Sequence, residues 1–274
     1  MKKKSYIKDY AENQYKNHKK LDDRINLWSY GTNPISLYRW IFSKIQLKEL
    51  ETVLELGCGT GQLWYDNFRN IPSSCGIVLS DFSKGMLKEA RKKLKPLKLP
   101  ISFKVINAEE IPYPNHFFDV VLACHMLYHI PNISKALKSI CRVLKPGGRF
   151  ISTTISYNHI HEIKNFLLNF ELNLNNSLNF FNEFRNETGR DVLKPFFEEI
   201  EVYEYINPVE VPSVDPLMKY ISSMFSDDDY PIFQELKPQI EEELVKIIES
   251  ESKFKITGHS GLFKAIKPLK NRSD

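Results

Sequence analysis

The sequence predicts an α/β protein built on a parallel sheet with helices on both faces. Between residues 52 and 155 short apolar runs alternate with amphipathic stretches. The first run, Val53 to Leu56, opens into Gly57-Cys-Gly-Thr-Gly61, a strand-turn-helix signature. The alternation keeps the pace of βαβ units, whose right-handed crossovers put helices on both sides of the sheet.

Each element follows in order. Residues 1–30 are polar and basic with scattered aromatics, and read as one or two helices leading into the turn Gly31-Thr-Asn-Pro34. Apolar residues at 37, 41, 42, 45 and 47 give Ile35 to Leu47 the spacing of a helix buried on one face. Val53–Leu56 is the first strand, and Gly61 to Phe68 opens a helix. Gly76–Leu79, Ser102–Ile106, Asp119–Cys124 and Arg149–Thr154 are further strands, with helices at Lys84–Leu94 and Ser134–Leu144. Pro146-Gly-Gly148 reads as the turn into the fifth strand. After residue 156 helical segments rich in Asn, Phe and Glu run to about 198. A strand at Ile200–Ile206 comes next, and Pro208, Pro212 and Pro216 break the chain before helices near 217–225 and 235–251. Phe254–Ile256 and Leu262–Ile266 flank His259-Ser-Gly261 and read as two closing strands.

The bulk numbers suit a soluble enzyme. Of 274 residues, 42% are hydrophobic and 26% charged. The net charge of +4 is small, and part of it sits in Lys2, Lys3, Lys4, Lys267, Lys270 and Arg272. No basic stripe interleaved with aromatics runs through the middle, which disfavours a nucleic-acid partner. Cys58, Cys75, Cys124 and Cys141 lack any CxxC or zinc-like spacing, and each lies in or beside an apolar run. No secretory signal and no apolar run of about 18 residues is visible. The expectation is a soluble, cytoplasmic protein with no membrane partner.

The glycine-rich turn is the candidate site. Glycines at 57, 59 and 61 keep side chains out of the loop, so a ligand can approach the backbone, and the following helix opens with free N–H groups. The third glycine of a dinucleotide GxGxxG is absent. Glu55 lies in the strand just before the loop, where a carboxylate would repel a pyrophosphate but suits a cationic ligand.

Five segments in order then resemble one family. They are the glycine turn, Asp81 in Val78-Leu-Ser-Asp81, Met86 in Ser83-Lys-Gly-Met-Leu87, the run Asn107-Ala-Glu-Glu-Ile-Pro-Tyr-Pro-Asn-His-Phe-Phe-Asp119, and Leu144-Lys-Pro-Gly-Gly-Arg-Phe150. Together they are similar to class I S-adenosylmethionine-dependent methyltransferases of the small-molecule, UbiE-like type. The resemblance implies a Rossmann-like fold with a mostly parallel seven-stranded sheet and a helical lid. It also implies S-adenosylmethionine as cofactor, leaving as S-adenosylhomocysteine. In its terms residues 1–50 are a helical cap, 51–155 the cofactor-binding core, 156–268 the remaining strands with lid insertions, and 269–274 a tail.

The same resemblance assigns roles. Gly57, Cys58, Gly59 and Gly61 wrap the cofactor, with Glu55 and Cys124 beside them. Asp81 takes both ribose hydroxyls, which a carboxylate accepts at once. Phe82 and Met86 follow, Met86 packing on the adenine. Asn107 stands where the family has an Asp that accepts from the adenine amino group; an amide oxygen accepts the same bond without charge assistance. Ala108 offers a backbone N–H, and Glu109 completes the run. Arg24 and Tyr30, with Gly31, resemble a lid over the methionine carboxylate.

The acceptor half rests on residues that leave the carboxyl ends of strands, where ligands lie in open α/β sheets. His125 and His129 are candidate bases, since an imidazole titrates near neutrality. Tyr128, Asn158, His159 and Glu162 are candidate acceptor contacts. No metal is expected, because histidines at 159 and 161 diverge on a helix. The expected reaction is methyl transfer to an N or O atom of a small molecule, a secondary metabolite or short peptide. The alternatives are a dinucleotide-dependent oxidoreductase, a non-catalytic cofactor-binding regulator, and a tRNA or protein acceptor.

Overall fold

A computed structural model describes residues 26–172, 183–225 and 230–269. Its strands are β1 (Thr52–Leu56), β2 (Gly76–Asp81), β3 (Ile101–Val105), β4 (Phe118–Cys124), β5 (Leu144–Ile155), β6 (Glu198–Val211) and β7 (Phe254–Ile266). The helices are α1 (Leu37–Ile45), α2 (Gln62–Asn67), α3 (Lys84–Leu94), α4 (Ile133–Val143), α5 (His161–Leu168), α6 (Gly189–Leu193), α7 (Val214–Met224) and α8 (Tyr230–Glu251). The seven strands form one sheet in the order β3-β2-β1-β4-β5-β7-β6. Pairs from β3 through β5 are parallel, and β7 runs antiparallel to both β5 and β6. The expected Rossmann-like, mostly parallel sheet is therefore present.

Side-chain alternation explains the layering. Leu54 and Leu56 in β1, with Val121 and Ala123 in β4, point to a core shared with Leu137 and Ile140 of α4. Val53, Val120 and Leu122 point the other way, toward Ile41 and Ile45 of α1 and Trp64 of α2. A sheet buried on both faces needs near-continuous apolar strands, and β1 and β4 supply them. A third core forms under the late insertions, where Val209 and Val211 meet Ile163, Leu217, Ile221, Phe233 and Ile240.

Helix ends follow local chemistry. Ser83 caps α3 by accepting from the Met86 amide, and the Asn132 side chain caps α4 by accepting from the Lys135 amide. The amphipathic stretch at Lys84–Leu94 forms α3 over those residues.

Three expectations change. β5 begins at Leu144, so Pro146-Gly-Gly148 lies inside the strand, and the ladder to β4 shifts register between Phe118 and Val120. β6 runs on to Val211 and carries Pro208 instead of stopping before it. The reason lies in the edge position of β6. Pro208 and Glu210 turn the same side outward, because the Pro208 carbonyl accepts from Thr32 and the Glu210 amide donates to Tyr30. The missing proline N–H therefore falls on the edge and breaks no ladder bond to β7. β7 is one strand through His259-Ser-Gly261, where Ser260 pairs with Ile155 on one side and Tyr205 on the other. Flanking strands on both sides hold that polar triplet extended. Pro216 sits in the first turn of α7, a position that needs no proline N–H.

Candidate active site

Strand order reverses between β2-β1 and β4-β5, and a crevice opens beyond their carboxyl ends. Leu56 pairs with Ala123, so the glycine turn after β1 sits beside Cys124 and His125 after β4. At this switch point the structure has a cavity of about 1630 Å³. A single small-molecule site usually occupies about 300–1,000 Å³, so a second molecule fits beside a cofactor.

The turn is shaped for close approach. Gly57 has φ 67°, and a Cβ there would lie 2.9 Å from Met126 Cβ. Gly59 has φ 54°, and a Cβ there would meet no protein atom within 4 Å, because that face opens to the cavity. The Gly59 amide donates to Asp81 Oδ2 at 2.9 Å, and the Ser83 amide donates to Asp81 Oδ1 at 2.8 Å. Each Asp81 oxygen keeps acceptor capacity for a hydroxyl. Burial first, against these amide bonds, raises the Asp81 carboxyl above its ordinary value.

Glu55 is buried, and Trp64 Nε1 donates to its Oε2 at 2.6 Å. Burial pushes its carboxyl up to about 7, opposed by the Trp64 bond and reinforced by Asp81. Four carboxylates line the cavity, Glu55, Asp66, Asp81 and Glu109. Such a wall suits a cation. Met86 is buried at the wall, while Phe82 and Asn107 are exposed at its rim. Asn107 Oδ1 accepts from the Glu109 amide at 3.0 Å, so its oxygen also braces the turn that presents Ala108. Glu109 Oε1 accepts from the Asn132 amide, which ties this wall to α4. Cys58 and Cys124 line the cavity too, and burial first raises both thiols well above their ordinary range. These residues fit a purine nucleoside attached to a cationic tail.

The other half carries the histidines. His125 takes a left-handed backbone, φ 51°, and its amide donates to both the carbonyl and the hydroxyl of Thr153 at 3.1 Å. A non-glycine residue there is held in a strained backbone, fixed by the two bonds to Thr153. His125 Nε2 is buried with no hydrogen-bond partner among the described residues, and burial lowers the ring to about 4. Tyr128 and His129 line the cavity with ring centroids 4.5 Å apart. His159 lines it as well. Its Nδ1 accepts from the His259 amide at 3.1 Å, and its ring lies 5.1 Å from Trp28.

Several expected contacts lie elsewhere. Asn158 is exposed and forms no part of the wall; its carbonyl faces His161 instead. Glu162 is turned to β7, accepting from the Thr257 amide and hydroxyl at 2.9 and 2.5 Å. Tyr30 packs on the third core and its carbonyl binds β6, so the neighbouring Trp28, Ser29 and Gly31 reach the cavity in its place. Arg24 lies outside the described residues. Among the described residues no group of three His, Cys, Asp or Glu side chains could hold a metal ion. No helix among them is long and apolar enough to cross a membrane.

Among the remaining lining residues, Tyr220 belongs to the aromatics of the late insertions that the sequence offers as a pocket wall, whereas Tyr38, Lys164, Arg185 and Met224 carry no such signal. Tyr38 of α1 reaches the cavity, with its phenol pushed to about 12 by burial first and then by Asp66. Lys164 of α5, Arg185, and Tyr220 and Met224 of α7 also line it. Nothing local in the sequence distinguishes Lys164 or Arg185 from surface cations.

Residues 54–152 match the family model for a methyltransferase domain. Two curated relatives are ubiquinone/menaquinone biosynthesis C-methyltransferases UbiE. The one from Francisella philomiragia is 36% identical over 134 residues, and the one from Proteus mirabilis 34% over 134. Each alignment covers 48% of this chain and 53% of the relative, so the chain spans about half the length of the relatives it matches. Among solved structures, the YcgJ protein from Bacillus subtilis has a TM-score of 0.58 at 16% identity, covering 84% of this chain and 97% of its own. The phosphoethanolamine N-methyltransferase 2 from Haemonchus contortus, in complex with S-adenosyl-L-methionine, has a TM-score of 0.54 at 19% identity, covering 96% of this chain and 60% of its own. Those two likenesses are of fold. The glycine turn, Asp81 and the carboxylate wall all fall on or beside the matched segment, and residues 54–152 are thus similar to a methyltransferase domain, with a site that fits S-adenosylmethionine.

Proposed function

We propose that the protein transfers a methyl group from S-adenosylmethionine to an N or O atom of a small molecule seated in the same cavity. The observation that carries this reading is the continuity of one large cavity from a carboxylate-lined half to a half walled by histidines and aromatics. When bound, the cofactor supplies an electrophilic methyl group on a sulfonium. The chain supplies position and exclusion of water. Gly57 and Gly59 let the backbone come close, Asp81 receives the ribose, and the carboxylates favour positive charge. Holding two reactants in line contributes up to ~7–11 kcal/mol of a barrier.

His125 is neutral at physiological pH because burial disfavours its cation. Its ring therefore accepts a hydrogen bond from the N–H or O–H of an acceptor and orients the lone pair. Trp28, Tyr128 and Tyr220 form the apolar walls around an acceptor. The names of the curated relatives favour a second reading, transfer to carbon. Their match is confined to about half of each chain, so the acceptor half carries little of that support.

Two measurements test the proposal. Calorimetric titration with S-adenosylhomocysteine is expected to give saturable one-to-one binding; its absence sinks the reading. Transfer of isotope-labelled methyl to small-molecule extracts, followed by NMR of the product, then separates N, O and C attachment.

A further inference from the structure

Three rings from separate segments meet in the cavity wall. Trp28 precedes α1, His159 follows β5 and Tyr220 lies in α7. The Trp28 ring centroid stands 5.1 Å from that of His159, tilted by 34°, and 5.9 Å from that of Tyr220, edge-on at 86°. We propose that this corner seats a flat aromatic methyl acceptor bearing an oxygen atom, with Trp28 against its ring and His159 Nε2–H donating to its oxygen. The inference rests on the methyl-transfer reading above.

The backbone fixes which nitrogen of His159 faces a ligand as a donor. The His259 amide donates to His159 Nδ1 at 3.1 Å, so Nδ1 presents its lone pair. A neutral imidazole in that arrangement carries its proton on Nε2. Burial first, and then the charge of Lys164, lowers the ring to about 3, which keeps it neutral. Nε2 makes no hydrogen bond with the described residues, on a half-buried ring that lines the cavity. A donor left against a purely apolar ligand is costly, so the fitting occupant brings an acceptor atom of its own.

Trp28 is held as firmly. Its segment is tied to β6, where the Glu210 amide donates to the Tyr30 carbonyl at 3.1 Å and the Thr32 amide donates to the Pro208 carbonyl at 2.8 Å. The Trp28 carbonyl itself accepts from the Gly31 amide at 3.1 Å. A Cβ at Gly258 would come 3.0 Å from Trp28 Cζ3, so this glycine of β7 leaves the indole its place. Tyr220 is buried, whereas Trp28 and His159 are half-buried and keep surface toward the cavity. Fixed rings with open surface favour a ligand that is itself aromatic, because aromatic pairs gain stabilisation beyond the area they bury and a saturated ring does not. The cavity of about 1630 Å³ has room for a bicyclic ring beside a cofactor.

The test uses the full chain saturated with S-adenosylhomocysteine. The calorimetric probes are 2-naphthol, its saturated counterpart decahydro-2-naphthol, and 2-methylnaphthalene, which keeps the rings without the oxygen. 2-Naphthol is expected to bind about fivefold or more tightly than decahydro-2-naphthol, and Trp28→Leu to abolish that preference. His159→Phe keeps a ring but loses the N–H; it is expected to weaken 2-naphthol about five- to tenfold and to leave 2-methylnaphthalene unchanged. His159→Gln also loses the bond to the His259 amide but restores an N–H near the Nε2 position, and is expected to hold 2-naphthol within about threefold of wild type. Unchanged affinity for S-adenosylhomocysteine shows that each variant is folded. The inference is overturned if S-adenosylhomocysteine binds but 2-naphthol does not, or if decahydro-2-naphthol binds as tightly as 2-naphthol. It is equally overturned if Trp28→Leu leaves the preference intact, if His159→Phe weakens both aromatic probes alike, or if His159→Gln loses as much as His159→Phe. Failure of S-adenosylhomocysteine itself to bind overturns the methyl-transfer reading, and this inference with it.

Discussion

Trp64 Nε1 donates to Glu55 Oε2 at 2.6 Å, joining the first turn of α2 to the last residues of β1 beneath the glycine turn. The bond holds a buried carboxylate at the cavity wall, where burial nonetheless raises its pKa from 4.5 to about 7. At 1.36 kcal/mol per unit, that rise corresponds to roughly 3 kcal/mol of stability that depends on protonation. The folded state binds this proton more tightly than the unfolded chain. The contribution is therefore complete below pH 4.5 and lost as pH rises through about 7. The ligand-free protein is expected to show a Tm that falls over this window, and Glu55→Gln a flatter profile; thermal scans across pH compare them.

A bound cation reverses the preference. The sulfonium ligand favours the Glu55 carboxylate, so binding just below pH 7 is expected to release a proton. Calorimetry in two buffers of different ionisation enthalpy measures that release directly. No buffer dependence would remove Glu55 from the cofactor's field.

Gly59 faces open cavity, and its amide holds Asp81. Gly59→Val is expected to cost about 1–2 kcal/mol of stability through its left-handed backbone. Its larger effect is to abolish cofactor binding, because the new side chain fills ligand space. Denaturation and ligand titration on the same sample separate the two; retained binding would place the cofactor elsewhere.

Arg149 grips Glu51 with both terminal nitrogens, at 2.9 and 2.7 Å, with 14% and 11% of the two side chains exposed. This pair ties β5 to the residue before β1, at the opposite ends of those strands from the cavity. Arg149→Met leaves Glu51 without its partner and is expected to lower stability by about 3 kcal/mol in urea denaturation. Cofactor affinity of the folded variant should match wild type.

His125 is held neutral, near 4, by burial. Its depressed pKa means that the competent neutral form persists from high pH down to about 4 and is lost below it. The kcat profile is therefore expected to show no acid limb near 6.5. His125→Ala should lower kcat by about 10²–10⁴ if the ring moves a proton, and far less if it only orients the acceptor. A limb at 6.5 that vanishes in His125→Ala would contradict the burial seen here.

By itself the sequence determined the parallel part of the sheet and placed the glycine turn and Asp81 at the carboxyl ends of β1 and β2. Apolar runs fully buried on both faces announce parallel strands, and Gly57, Gly59 and Asp81 stand directly at strand ends, where the residue types themselves mark the turns. Such residue patterns survive in the linear order. The two edge strands were only partly legible, because Pro208 and His259-Ser-Gly261 look like breaks until their ladder partners are known. The other half of the cavity was partly legible, since His125, Tyr128, His129 and His159 line it as the sequence suggests, but its charged residues were decided by tertiary structure. Lys164 and Arg185 come from separate segments and are brought to one wall by packing, while Asn158 and Glu162, which follow β5 as closely as His159 does, are turned away from the cavity. Charge complementarity between distant segments has no sequence period, so only the folded chain places the two cations opposite the four carboxylates.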